Sequence, residues 1–171
     1  MYLDRVVAAS SYGECLVLRK AICAFKYRRV RSLTEDLGQL LLEGSLRLKS
    51  TSPVLCPVPL HWVRRFHRGF NQAALLAEVL GRGRGWEVTH LLRRVCSTGS
   101  QVGRTREERL AAIRGAFRPV VREIPISVVL VDDLFTTGAT LNACAKTLRR
   151  AGAKHVEGIT VAYGSGMRYL K

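Results

Sequence analysis

The stretch 128–140, Val-Val-Leu-Val-Asp-Asp-Leu-Phe-Thr-Thr-Gly-Ala-Thr, constrains the fold more than any other part of the chain. Four β-favouring apolar residues, Val128 to Val131, stand without a polar break. A half-buried strand alternates; an unbroken apolar run suits a central strand of a parallel sheet covered on both faces. Asp132 and Asp133 follow at its carboxyl end, the edge at which open α/β sheets bind their ligands. Beyond a short hydroxyl-rich loop, Leu141, Cys144, Leu148 and Ala151 recur at helical spacing, and Gly152 supplies a stop. The order is therefore buried strand, acid pair, loop, helix N-terminus.

That order has a chemical meaning. Thr136, Thr137, Gly138, Ala139 and Thr140 fall where the first unpaired helical N–H groups point outward, an anion cradle in which Gly138 permits close backbone approach. The acids repel a phosphate, so they are read as acceptors for ribose 2′- and 3′-hydroxyls. A sugar phosphate asks for both halves. The sequence has no Gly-Lys-Ser/Thr after a glycine-rich loop, and no Gly-x-Gly-x-x-Gly after a strand. The competing reading makes the acids a solvated strand end and Thr137 a simple helix cap.

A chain of 171 residues with 47% hydrophobic content has enough material for one α/β domain with a core, and is not a disordered tail. No apolar run approaches ~18 residues, so no membrane span is expected. Asp4 and Arg5 stand where a signal peptide needs its apolar stretch, which gives the expectation of a cytoplasmic protein. Five scattered cysteines (15, 23, 56, 96 and 144) without a Cys-x-x-Cys spacing read as reduced thiols rather than a zinc site. The net charge is +15, and the stretch 61–123 holds thirteen arginines, no lysine and five acids, +8 in all. Arginine is the better bidentate phosphate binder. This surplus points to pyrophosphate, or to nucleic acid such as single-stranded DNA. A solvated basic surface is the alternative.

Periodicity and punctuation predict the remaining elements. Residues 5–9 read as a short strand, 14–28 as a helix, 32–49 as a second helix and 54–58 as a strand. Asn71 caps a helix through Leu80, with Gly-Arg-Gly-Arg-Gly at 81–85 ending it. Residues 86–92 read as a strand, 96–103 as a mobile loop, 105–114 as a helix opened by a Thr105/Glu108 capping box, and 155–163 as the last strand. Strands separated by helices imply a mainly parallel central sheet flanked by helices, in a single domain whose first fifty residues form a helical N-terminal part and whose core is 51–171.

Residues 128–140 resemble the PRPP-binding motif of type I phosphoribosyltransferases. Pro57-Val58-Pro59-Leu60 followed by Arg68-Gly69-Phe70-Asn71-Gln72 resembles the ComF (ComFC) family of competence proteins. So do Phe25-Lys26-Tyr27, Gln101 with Glu108-Arg109, and Gly115-Ala116-Phe117, which together cover nearly the whole chain in order. The resemblance implies a type I phosphoribosyltransferase fold with a flexible hood. It implies ribose binding by Asp132 and Asp133 and 5-phosphate binding by Thr136 to Thr140. Pyrophosphate falls to Pro59, Leu60, Arg64, Arg65 and Arg68. Arg93, Arg94, Gln101 and Arg109 take the polar positions of the hood, and Asp132, Asp133 and Arg109 are the catalytic candidates. Mg²⁺ is implied as bound with PRPP rather than by direct side-chain ligation. The implied setting is natural competence and DNA uptake, with an uptake helicase as a partner. Either phosphoribosyl transfer to an acceptor or a non-catalytic, nucleotide-sensing adaptor role fits. The sequence departs from the family in three ways: it does not contain the cysteine zinc ribbon with which many members begin, Ala112 stands where Asn is common, and Arg104 where Leu is common.

Overall fold

A computed structural model describes residues 1–13, 15–60, 69–95 and 115–164. The element order is β1 (Arg5–Ser11), α1 (Leu16–Tyr27), α2 (Leu33–Ser45), β2 (Val54–Pro57), α3 (Gln72–Arg84), β3 (Leu92–Arg94), β4 (Phe117–Pro119), β5 (Ser127–Phe135), α4 (Ala139–Arg150) and β6 (His155–Tyr163). Among the described residues, four strands form a wholly parallel sheet in the order β1-β6-β5-β2. β3 and β4 form a separate antiparallel ribbon.

The unbroken apolar run occupies the middle of the sheet. β5 lies between β6 and β2, and Val128 to Val131 are all fully buried. Alternate side chains feed two cores. Val128 and Leu130 pack with Leu141, Cys144 and Leu148 of α4, together with Phe117 of the ribbon. Val129 and Val131 pack with Ile22 and Phe25 of α1, Leu37 and Leu41 of α2, and Leu76 and Leu80 of α3. The sheet is thus covered on both faces, which is why no strand in its middle needs polar alternation.

Three expectations are corrected by the structure. β5 does not stop at Val131; it continues to Phe135, because the long β6 still pairs with it at Leu134↔Ala162 and Phe135↔Tyr163. The helix opened by Asn71 does not end at Leu80 but runs to Arg84, closed by Gly85 in the left-handed region at φ +68°. Gly81 sits inside it because the helix is pressed against the segment leading to β3: a Cβ there would lie 2.6 Å from Val88 Cγ2. Residues 86–92 are not a strand. Only Val88 makes an isolated bridge, to Leu55, and the ladder that exists begins at Leu92. The expected loop 96–103 and helix 105–114 lie outside the described residues. The first fifty residues supply β1 to the sheet as well as α1 and α2.

At the amino end of the sheet, Glu157 of β6 is 3% exposed. Its two oxygens accept hydrogen bonds from the backbone N–H groups of Lys49 (3.1 Å) and Ser50 (2.9 Å), which fixes the turn between α2 and β2. No helix among the described residues is long and apolar enough to cross a membrane.

Candidate functional site

The carboxyl end of β5 collects most of the residues singled out in the sequence. β2 ends beside it, with Pro57 paired to Val131 and Val58 N–H donating to Val131 O at 2.9 Å. Pro59 and Leu60 therefore leave the sheet next to the acid pair. The chain returns at Gly69, and Asn71 ties the two ends of the excursion together. Its Nδ2 donates to Val58 O at 3.1 Å, while its Oδ1 accepts from Ala73 N–H at 3.2 Å and caps α3. Arg64, Arg65 and Arg68 lie outside the described residues.

Asp132 and Asp133 are held side by side, with Asp133 N–H donating to Asp132 Oδ1 at 2.9 Å. Their surroundings differ. Asp133 is 5% exposed, and its Oδ1 meets Lys26 Nζ at 2.9 Å, the lysine side chain being 14% exposed. Asp132 keeps part of its surface open, yet its carboxyl is crowded by protein. Burial first, and the neighbouring Asp133 charge second, push it up to about 7, with Lys26 pulling in the other direction. At neutral pH Asp132 is thus poised between an acceptor and a donor.

The loop after the acids is built to expose backbone. Gly138 is the N-cap of α4 at φ +71°, and no side chain caps the helix in its place. A Cβ at this position would lie 2.7 Å from Phe135 Cζ, so glycine is required both by conformation and by the ring beneath it. Thr137 Oγ1 reaches Ala139 N–H only at 3.4 Å. Thr136 and Thr137 are exposed, the first turn of α4 carries no acid, and Gly164 N–H donates to Phe135 O at 2.7 Å to pin the loop from below. Unpaired N–H groups at an uncapped helix start attract an anion.

The hood candidates divide. Arg94 turns inward, with its guanidinium 5.5 Å from the Phe117 ring centroid and close enough to Cys144 to lower the thiol's otherwise raised pKa. Arg93 is exposed and stands directly opposite Arg118 in the ribbon. Gln101 and Arg109 lie outside the described residues. Cys56 and Cys144 are fully buried, and burial pushes Cys56 up to about 12, so both are held as neutral thiols.

Lys26 is the site residue that sequence reasoning did not assign. Its signal was present: Leu18, Ile22 and Phe25 form the inward stripe of α1, and Lys26, four residues after Ile22, falls on the same side. A lysine on an apolar stripe asks for a buried partner.

No family profile matches the chain. Individual relatives do. Competence protein F of Haemophilus influenzae is 32% identical over 166 residues, spanning 90% of this chain and 70% of that protein. DNA utilization protein YhgH of Escherichia coli K12 is 31% identical over 164 residues, with the same two coverages. Competence protein ComFC of Streptococcus pneumoniae is 38% identical over 100 residues, 58% of this chain and 43% of that one. Among solved structures, glutamine PRPP amidotransferase from B. subtilis superposes with a TM-score of 0.52 at 22% identity, and the allosteric regulatory enzyme of purine biosynthesis with 0.51 at 22%. Each alignment covers 77% of this chain and only 26% of the longer one, about a quarter of its length. The architecture is that of the type I phosphoribosyltransferases.

Proposed function

The chain belongs to the competence protein F (ComFC) family, and from that premise we propose that it binds PRPP at the carboxyl end of β5 and transfers phosphoribose to an acceptor, releasing pyrophosphate. One observation carries the reading. The acid pair, the uncapped start of α4 and the exit of β2 meet at one sheet edge.

Each part has a task. The N–H groups around Gly138 to Thr140, with the Thr136 and Thr137 hydroxyls, take the 5-phosphate. Asp132 and Asp133 accept hydrogen bonds from the ribose hydroxyls. The segment from Pro59 and Leu60 through Arg64, Arg65 and Arg68 holds the diphosphate as it departs. Arg93, Gln101 and Arg109 remain the candidates to cover the site and exclude water, Arg94 being turned inward against Phe117. Mg²⁺, carried mainly by diphosphate and ribose oxygens, would neutralise the leaving charge; with Asp133 engaged by Lys26, the donors at this edge suit a metal bound through its ligand rather than a protein cage. The chain itself contributes alignment and charge stabilisation while the ribose becomes oxocarbenium-like, and no covalent nucleophile is needed.

The test is Mg²⁺-dependent pyrophosphate release from PRPP with a panel of nitrogenous bases. Release that disappears in Asp132→Asn supports transfer. PRPP binding by calorimetry without release from any acceptor would leave a sensing role, and no PRPP binding at all would remove the reading.

A second reading, a nucleic-acid-associated adaptor of DNA uptake in the cytoplasm acting beside an uptake helicase, is favoured by a different feature. A groove of about 620 Å³ between α4 and the β3–β4 ribbon is lined by Arg118, Lys146, Arg150, Asn142 and Tyr2, with no carboxylate among the described lining residues. Tyr2 is 41% exposed and Lys146 sits 5.3 Å from its ring centroid. Cations around an open aromatic ring suit a single strand. Replacing Arg118, Lys146 and Arg150 with Ala should lower single-stranded DNA affinity and flatten its log–log salt slope by about two; an unchanged slope would send any binding elsewhere.

A further inference from the structure

The Lys26–Asp133 pair sits at the heart of the site, yet Lys26 has none of the roles above. Both groups are largely withdrawn from water, and their separation is 2.9 Å. Burying an ammonium is costly, and a helix that only needed packing would carry an apolar residue at this position. The location gives the cost a purpose. Asp133 N–H is bonded to Asp132 Oδ1, so two carboxyls are locked together on consecutive residues of one strand. PRPP would bring further negative charge to the same edge. Like charges in a partly desolvated site repel strongly, and Lys26 is the cation placed against them from the opposite layer.

Lys26 is also held in place by the chain around the site. Phe25 O accepts from the buried Gln72 Nε2 at 3.2 Å, and the Phe25 ring lies 5.5 Å from that of Phe70. Phe70 and Gln72 come directly after segment 61–68 and Gly69, so the last turn of α1 is docked on the end of the diphosphate candidate loop. Other titratable groups face the acids from the layer of α4. Cys144 lies in the field of Asp132, and Cys144 in turn feels Cys56 of β2 and Arg94 of β3.

We propose that Lys26 is a positioning residue of the pentose-binding site: its ammonium fixes Asp133 and offsets one of two adjacent negative charges, so that a phosphorylated sugar can settle beside them. This deepens the PRPP-binding reading and rests on it for the identity of the ligand. It also makes the first fifty residues part of the site rather than packing behind it.

The experiment compares Lys26→Met and Lys26→Arg in the full chain, by calorimetry with PRPP and Mg²⁺, and by ¹³C carboxyl titration of Asp132 in the free protein. Met should weaken PRPP binding about tenfold or more, and Arg should stay within about threefold of the parent. Met should also move the ionisation of Asp132 to higher pH. Should the Met variant fail to fold, Lys26→Gln, which keeps a donor without the charge, serves the same comparison. The proposal is overturned if the neutral variants bind PRPP as the parent does, or lose affinity while the Asp132 titration stays in place, which is the mark of a purely structural pin. If the parent itself does not bind PRPP, the ligand assignment fails instead, and the carboxyl titration alone then decides whether Lys26 governs the pair.

Discussion

The two ends of the central sheet treat buried acid in opposite ways. At the amino end, Glu157 commits both oxygens to the backbone N–H groups of Lys49 and Ser50. At the carboxyl end, Asp132 accepts from the N–H of its neighbour, while Asp133 is met by Lys26. The consequence for Asp132 is an ionisation pushed up to about 7, chiefly by burial. A carboxylate saturated by main-chain donors holds a fold together. One left with open acceptor capacity, beside an uncapped helix start, is destabilised by its own environment until something arrives to complete it.

Substitutions sharpen that contrast. The largest effect is expected at Gly138. Gly138→Val forces a β-branched residue to a positive φ against the Phe135 ring. It should reduce PRPP affinity about a hundredfold in calorimetry and lower stability by about 2 kcal/mol in denaturant titration. Next, Glu157→Gln leaves one of two backbone donors poorly matched at the other end. It should cost about 1–2 kcal/mol with PRPP affinity unchanged. If it abolished binding, the separation of roles between the two ends would be wrong.

Asp132→Asn should do the reverse, losing PRPP binding while stabilising the free protein by about 1 kcal/mol at pH 8, a discounted figure because the side chain is partly open. The sign comes from the raised folded-state pKa. The folded protein holds the proton more tightly than the unfolded chain. The stability associated with that proton is therefore complete below the ordinary carboxyl range near 4 and lost as pH rises through about 7. The Asn variant does not ionise, so its advantage in thermal unfolding should be seen at pH 8 and vanish at pH 4. The smallest change is expected for Thr137→Val. Its hydroxyl contributes only a long 3.4 Å contact to Ala139 N–H, and PRPP affinity should fall about threefold.

The parts of this architecture that are local were legible in the sequence. The run Val128 to Val131 marked the central strand, and the spacing of Leu141, Cys144 and Leu148 marked the helix behind the loop. Asn71 announced its own cap. What could not be read depends on distant partners. β5 extends past its acids because β6 is long enough to keep pairing with it. Gly81 looks like a terminator but is a contact residue, since the space its side chain would need belongs to Val88. Arg94 and Arg93 are adjacent in the chain and face different surroundings once the ribbon forms. Lys26 lies more than a hundred residues from Asp133 in sequence, and no pattern in either segment names the other.

Asn71 has a consequence of its own. By clasping Val58 with one side of its amide and Ala73 with the other, it welds the two stumps of segment 61–68 to each other as well as to the sheet. A change of length or charge within that segment is therefore expected to leave the strand that carries the aspartates in place. The charge carried between Leu60 and Gly69 can thus be rewritten by substitution while the frame around the aspartates keeps its register.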